Sequence, residues 1–305
     1  MNPEREPRTS NPEPRTPACP PDVLAQIADL ELVARIIVEG LVSGLHRSPF
    51  HGYSAEFSQY RHYRPGDDLK YVDWKLAART DRVYTKQFRE TTNMAAALVL
   101  DTSASMDFPG KGVSKFRYAV MIAAALAHLV SGQGDAVGLL AGGAKAPAFL
   151  PPRTGRQHAR RLLATLTSLA PAGTWRPAEA LRGAAERMRR RGLLLVLSDF
   201  YDEEDRTFEE LRRAARMGHE VVLFQIMSRE ELELPYRRDL EFTDLETGRI
   251  IAINAGLARR DYRDAVAAFL ERCRTRAGAE GFQYALVVTD MPPDRALRNF
   301  LLARG

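Results

Sequence analysis

Apolar residues follow two rhythms along this chain. In PDVLAQIADLELVARIIVEGLVSGLH (21–46), Leu24, Ile27, Leu30, Val33, Ile36 and Ile37 recur at helical spacing and predict one amphipathic helix. From residue 95 onward, short near-continuous apolar runs alternate with helical stretches. The runs AAALVLD (95–101), DAVGLLA (135–141), LLLVLSD (193–199), EVVLFQIM (220–227) and FQYALVVT (282–289) read as buried strands, with AKAPAFLP (144–151) as a hairpin partner of the second. Helices are predicted over 115–130, 156–169, 177–191, 205–217 and 257–277, followed by a short terminal helix, and a hairpin turns across DLETG (244–248). Strands apolar on both faces, alternating with helices, call for a doubly wound, mostly parallel α/β sheet covered on each side. Such sheets bind ligands beyond the carboxyl ends of their strands. Asp101 and Asp199 each stand at such an end.

Two segments keep neither rhythm. Residues 1–20, rich in proline and charge, read as a disordered leader with no apolar segment of the signal-peptide kind. Residues 21–94 are expected to form a helix and an extended arm packed on the main domain, which occupies 95–305. The arm stretch RHYRPGDDLKYVDWK (61–75) gathers Arg61, Arg64, Asp67, Asp68, Asp73, Trp74 and Lys75 around a Pro65-Gly66 turn. One role for these is an internal clamp, with Arg64 paired to a carboxylate and Trp74 wedged against the sheet. The other is a protein-binding surface, where Arg and Trp dominate the energetics.

Composition narrows the function classes. The 305 residues are 45% hydrophobic, enough for a buried core. The net charge of +5 comes from 44 basic and 39 acidic residues that are interspersed, so charge alone does not point to nucleic acid. Cys19 and Cys273 offer neither metal-ligand spacing nor a disulfide framework, which fits a cytoplasmic location. The most apolar helical stretch, AVMIAAALAHLV (119–130), is too short to span a bilayer, so no transmembrane segment is expected.

The candidate chemistry lies in LVLDTSASMDF (98–108), where Asp101, Ser103 and Ser105 alternate after an apolar strand. Such a loop can be a metal site, a phosphatase-like nucleophile loop or a polar turn, since Asp and Ser also cap turns and helix starts. Thr174 in PAGTWRP and Asp199 in VLSDF supply further oxygens at matching places in the topology. Two carboxylates and three hydroxyls suit a hard dication, Mg²⁺ first, with Mn²⁺ and Ca²⁺ as alternatives. Metal binding is therefore the favoured reading, and the ion would be left under-coordinated and open to a carboxylate from another molecule.

Other motifs fall away. HEVVL (219–223) lacks the second histidine of a zinc protease, and PGKGVSK (109–115) lacks phosphate-loop spacing. GQGDAVG (132–138) precedes a strand instead of following one. A G-x-S-x-G elbow is absent. Haloacid-dehalogenase phosphatases need an aspartate where Ser103 stands. The RMRRR run (187–191) closes a helix, where positive charge is favoured, so no nucleic-acid role is expected of it.

DTSASM, the GT before a helix and the LSD after a strand resemble the metal-ion-dependent adhesion site of von Willebrand factor type A domains. The arm, LHRSPFHGYSAEFSQYRHYRPGDDLKYVDWKLAARTDRVYTKQF (45–88), closely resembles the hallmark of a bacterial family catalogued as domain of unknown function number fifty-eight. This resemblance covers most of residues 22–300. It implies a von Willebrand-like domain without established enzymatic activity, acting as an adaptor or partner of a MoxR-type AAA+ ATPase or of that ATPase's client. It also implies a division of labour in which Ser103, Ser105 and Thr174 ligate Mg²⁺ directly while Asp101 and Asp199 act mainly through metal-bound waters. Trp175 departs from the pattern, standing where relatives often have an acidic residue. The alternatives are a metal-dependent phosphoester hydrolase and a nucleic-acid-binding module.

Overall fold

The structure is a computed structural model that describes residues 18–43, 55–64, 67, 72–80, 82–90, 94–110, 112–142, 148–188, 191–201, 204–236 and 238–304. Its centre is a six-stranded sheet made of β3 (Ala95–Asp101), β4 (Ala136–Gly142), β5 (Ala148–Arg153), β6 (Gly192–Ser198), β7 (Glu220–Met227) and β10 (Gln283–Val288). The spatial order is β10-β7-β6-β3-β4-β5. All neighbours are parallel except β5, which returns antiparallel along β4 as a hairpin edge. Each strand predicted from its apolar run is present, and the doubly wound class holds.

Side-chain alternation along each strand divides the core in two. Leu98, Leu100, Leu195, Leu197 and Phe224 face a layer built on α4 (Lys115–Gly132), α5 (Arg156–Ser168) and α10 (Pro293–Arg304). Val99, Leu194, Val196 and Leu223 face the opposite layer of α6 (Pro177–Arg187), α7 (Glu204–Arg216) and the carboxyl end of α9 (Ala255–Ala279). Helix α4 is buried almost all round, which its run of alanines permits by letting sheet and helices approach closely. The sheet changes winding direction between β3 and β6, the place where ligand crevices form in such folds. Among the described residues, no helix is long and apolar enough to cross a membrane.

The single helix expected over 21–46 is two, α1 (Pro21–Ala25) and α2 (Leu30–Ser43). Asp29 divides them, because its Oδ1 accepts from the Glu31 and Leu32 backbone N–H groups at 2.9 and 3.2 Å and so starts a new helix. The Arg117 guanidinium of α4 donates to the carbonyls of Ala25 and Ile27 between the two helices. Leu30, Val33, Ile37 and Leu41 then enter the α4-side core. Asp29→Ala is expected to lower stability by about 1 kcal/mol, read as a fall in denaturant midpoint at unchanged m-value.

The arm forms a two-stranded antiparallel sheet of β1 (Ala55–His62) and β2 (Tyr84–Glu90), with α3 (Trp74–Thr80) between them. Asp67 is its polar hub. Its carboxylate takes the Arg61 guanidinium at 2.7 Å, the Arg64 backbone N–H at 2.9 Å and the Thr85 hydroxyl at 3.2 Å. The Arg64 N–H and then Arg61 hold this carboxyl below the usual range. Asp73 caps α3 through the Leu76 N–H and accepts from the Tyr60 hydroxyl. Two expectations change here. The guanidinium that grips the Asp67 carboxylate belongs to Arg61, because Arg64 reaches it through its backbone. Trp74 is not wedged against the sheet but 62% exposed at the start of α3. Asp68, the Pro65-Gly66 turn and the Lys75 side chain lie outside the described residues.

Two short hydrogen-bonded elements complete the sequence of structure: α8 (Arg229–Glu233) and the hairpin of β8 (Asp239–Thr243) with β9 (Ile250–Asn254) across the predicted DLETG turn.

Candidate functional site

Strands β3 and β6 are neighbours in register, with Leu100 opposite Leu197, so their carboxyl ends deliver Asp101 and the Ser198-Asp199 pair to one place. Asp101 is 2% exposed, and both its oxygens are engaged. Oδ2 accepts from the Ser198 hydroxyl at 2.6 Å and Oδ1 from the Ser103 backbone N–H at 2.8 Å. After Ser103 the chain turns into a short 3-10 segment, Ala104–Asp107, which sets the Ser105 hydroxyl 2.9 Å from that of Ser103. Ser105 in turn donates to Asp199 Oδ2 at 3.0 Å. The structure thus joins Asp101, Ser103, Ser105 and Asp199 in one network.

The loop carrying Thr174 lies alongside. The Ala172 N–H donates to the Thr102 carbonyl at 2.9 Å and the Ala104 N–H to the Gly173 carbonyl at 2.8 Å, fastening this loop to the serine loop by backbone. Gly173 needs no side chain at its φ of 64°, which lets the chain turn there. Thr174 itself is exposed, and among the described residues its hydroxyl takes no part in the network of the other four. The next residue, Trp175, is buried beside Gly142, where a side chain would crowd its indole nitrogen at 3.1 Å.

Asp199 is held as firmly as Asp101. Its backbone carbonyl accepts from the buried Gln225 side chain at 2.9 Å, and Gln225 is fixed in turn by the Tyr284 hydroxyl. The following residue, Phe200, has a left-handed φ of 61°, a strained conformation for a residue with a side chain. Burial of its ring in the α6/α7-side core and a hydrogen bond from its N–H to Ser198 Oγ hold it there.

Three participants escaped the sequence reading. Ser198, beside Asp199, supplies the hydroxyl to Asp101. Lys115, the first residue of α4, sends its ammonium to Asp199 Oδ2 at 2.8 Å and to Glu231 Oε1 at 2.5 Å. Glu231 sits at the third position of α8 and closes a reciprocal capping box with Ser228. The S-x-x-E spacing of Ser228 and Glu231 is a visible signal of that helix start. The signal for Lys115 is a cation placed against the helix dipole at the head of an apolar helix. PGKGVSK, which lacks phosphate-loop spacing, ends on this lysine.

The electrostatics follow from burial. Asp101, desolvated first and repelled by Asp199 second, has its pKa pushed up to about 8. Burial opposes the charge on Lys115, but the Asp199 and Glu231 carboxylates outweigh it and hold its pKa above the ordinary lysine value. Nζ of Lys115 also stands 4.9 Å from the centre of the Tyr201 ring. Among the described residues no group of three or more His, Cys, Asp and Glu side chains could hold a metal ion. A metal here would rest instead on two carboxylates and the paired serine hydroxyls. That donor set is the hard-oxygen kind that Mg²⁺ takes, and Asp101 is a buried carboxylate that forms no ion pair among the described residues.

Residues 59–272 match the family model described as "Protein of unknown function DUF58". The chain belongs to this family. Similar relatives are uncharacterized proteins of Mycobacterium bovis and Mycobacterium tuberculosis, each 34% identical over 244 residues, 79% of this chain and 76% of theirs. YeaD of Bacillus subtilis, also uncharacterized, is 30% identical over 117 residues, 38% of this chain and 27% of that protein. Among solved structures, the conserved hypothetical protein BatB from Bacteroides thetaiotaomicron is 18% identical, covering 70% of this chain and all of that one, with a TM-score of 0.46. The SpRpn10 VWA domain is 12% identical over 67% of this chain and 93% of that one, with a TM-score of 0.40. Likeness at that level leaves the fold of this DUF58 protein to rest on its own strand order.

Proposed function

We propose that this protein is a non-catalytic, Mg²⁺-dependent protein-interaction module. Asp101, Ser103, Ser105 and Asp199 hold the ion, with Thr174 at the rim. A hard dication there would supply one Lewis-acidic position for a carboxylate offered by a partner. The observation that carries this reading is the Asp101 carboxylate, buried without an ion pair among the described residues beside two converging hydroxyls. A buried, unpaired carboxylate is unfavourable unless it is protonated or bound to a cation. Mn²⁺ and Ca²⁺ use the same donors. The family resemblance supports a MoxR-type AAA+ ATPase or its client as the partner in this reading, with the cytoplasm as the place they meet. The exposed Trp74 on the arm offers it a second, aromatic contact.

The hydrolase alternative needs Asp101 or an activated water to attack a phosphoester. The Asp101 carboxylate is too deeply buried for a group as large as a phosphoester to reach it, which counts against a nucleophile.

Affinity capture from lysate of the source organism tests the proposal, using wild type and Asp101→Ala, each in Mg²⁺ and in EDTA. An AAA+ ATPase is expected with wild type in Mg²⁺ and at background in the other three arms. Equal recovery in all four would reduce the serine loop to a structural turn.

A further inference from the structure

Lys115 adds a fixed positive charge to a site read as a cation site. It is fully buried, and its ammonium shares an acceptor with the metal network: Asp199 Oδ2, which also receives the Ser105 hydroxyl. A lysine can be buried in this way only where carboxylates surround its ammonium, and here two do. Its position at the head of α4 runs against the helix dipole, so helix formation alone does not place it there. The second carboxylate, Glu231, comes from a different element, α8, whose capping box fixes it with Ser228.

We propose that Lys115 is an internal cation that competes with the divalent ion for Asp199, keeping the site's metal affinity low, and that Glu231 receives the ammonium when the metal binds. This rests on the metal-site reading above. The charges make the case. With all groups ionised, Asp101, Asp199 and Glu231 carry three negative charges against one on Lys115. A dication next to Asp199 brings the set to neutrality but stands close to the ammonium, and the two cations repel. Lys115 relieves the repulsion by giving up Asp199 Oδ2 while keeping Glu231, an exchange the bifurcated contact already prepares. Lys115 is thus a positioning residue for the metal and not a ligand. A site with low affinity on its own is filled durably only when a partner's carboxylate adds its share, so metal and partner bind together. Glu231 also ties the event to α8, which packs on α9 ahead of the β8–β9 hairpin.

Calorimetric titration with MgCl₂ and with MnCl₂ tests this on the full chain, comparing wild type, Lys115→Met, Glu231→Gln and the Lys115→Met/Glu231→Gln double variant. Circular dichroism establishes folding of each. Lys115→Met is expected to bind Mg²⁺ about tenfold or more tightly, since removing a nearby like charge strengthens a dication site. Glu231→Gln, which leaves the ammonium committed to Asp199, is expected to weaken binding severalfold. Should Lys115→Met not fold, the double variant against Glu231→Gln makes the same comparison with one charge fewer. Metal binding by wild type with equal or weaker binding on loss of Lys115 would overturn the inference and leave the metal site standing. No binding by any folded protein would overturn both.

Discussion

Lys115→Ala is expected to lower the folding free energy by about 3–5 kcal/mol, the range for stripping one partner from a buried ion pair. The side chain is fully buried, and its loss leaves Asp199 and Glu231 facing each other without the charge that separates them, around a cavity the lysine stem filled. The pH sign follows from the raised lysine pKa. The contribution is complete below the ordinary value of 10.5 and is lost only as pH rises through the higher folded value. The deficit of the variant should therefore be level across neutral pH and shrink only in strong alkali. Urea denaturation of both proteins at pH 7 and pH 9 measures it. A deficit under about 1 kcal/mol would place the triad among the weak, solvent-screened pairs.

Without divalent ions, wild-type protein is expected to lose stability between pH 5 and pH 8, and Asp101→Asn is expected to remove most of that loss. Burial, then the charge of Asp199, raises Asp101 from 3.8 to about 8. The native state therefore binds a proton that the unfolded state has already released. Stability from this group is complete below the unfolded value and disappears as pH rises through 8. At 1.36 kcal/mol per pKa unit, the ceiling is roughly 6 kcal/mol. Asparagine keeps the carbonyl that accepts from Ser103 and an amide that can donate to Ser198, without the charge. Its melting temperature in EDTA should exceed that of wild type at pH 8 and approach it at pH 5. Mg²⁺, which takes the ionised form, should raise the melting temperature of wild type at pH 8 and leave Asp101→Asn unmoved. Parallel melting-temperature slopes for the two proteins in EDTA would show that another group governs the pH response.

What could be read from the chain and what could not divide along physical lines. Strands β3, β6 and β7 were legible because a strand buried on both faces must be apolar throughout, and few other elements write that pattern. Asp101 and Asp199 were legible for the same reason, as the first charges after such runs. The break at Asp29 was hidden by apolar spacing that continues in phase across it. Lys115 and Glu231 were illegible as partners because 116 positions separate them, and only the tertiary fold brings the heads of α4 and α8 together. A lysine in a helix's first turn is usually solvated, so local pattern pointed the wrong way. Trp74 misled in the opposite sense, since size and apolarity suggested a buried wedge where the fold leaves it in water.

The antiparallel edge strand β5 carries Pro151 and Pro152 in succession, and Gly138 on β4 leaves room for them, since a side chain there would lie 2.7 Å from the Pro152 nitrogen. Proline has no N–H to offer a neighbouring strand. Because successive N–H groups of a strand alternate sides, one of the two prolines removes a donor from the free edge, so templated strand addition, the route by which exposed sheets aggregate, is blunted there. At high concentration this flank of the sheet then resists stacking into fibres, whatever the opposite ends of the strands are doing.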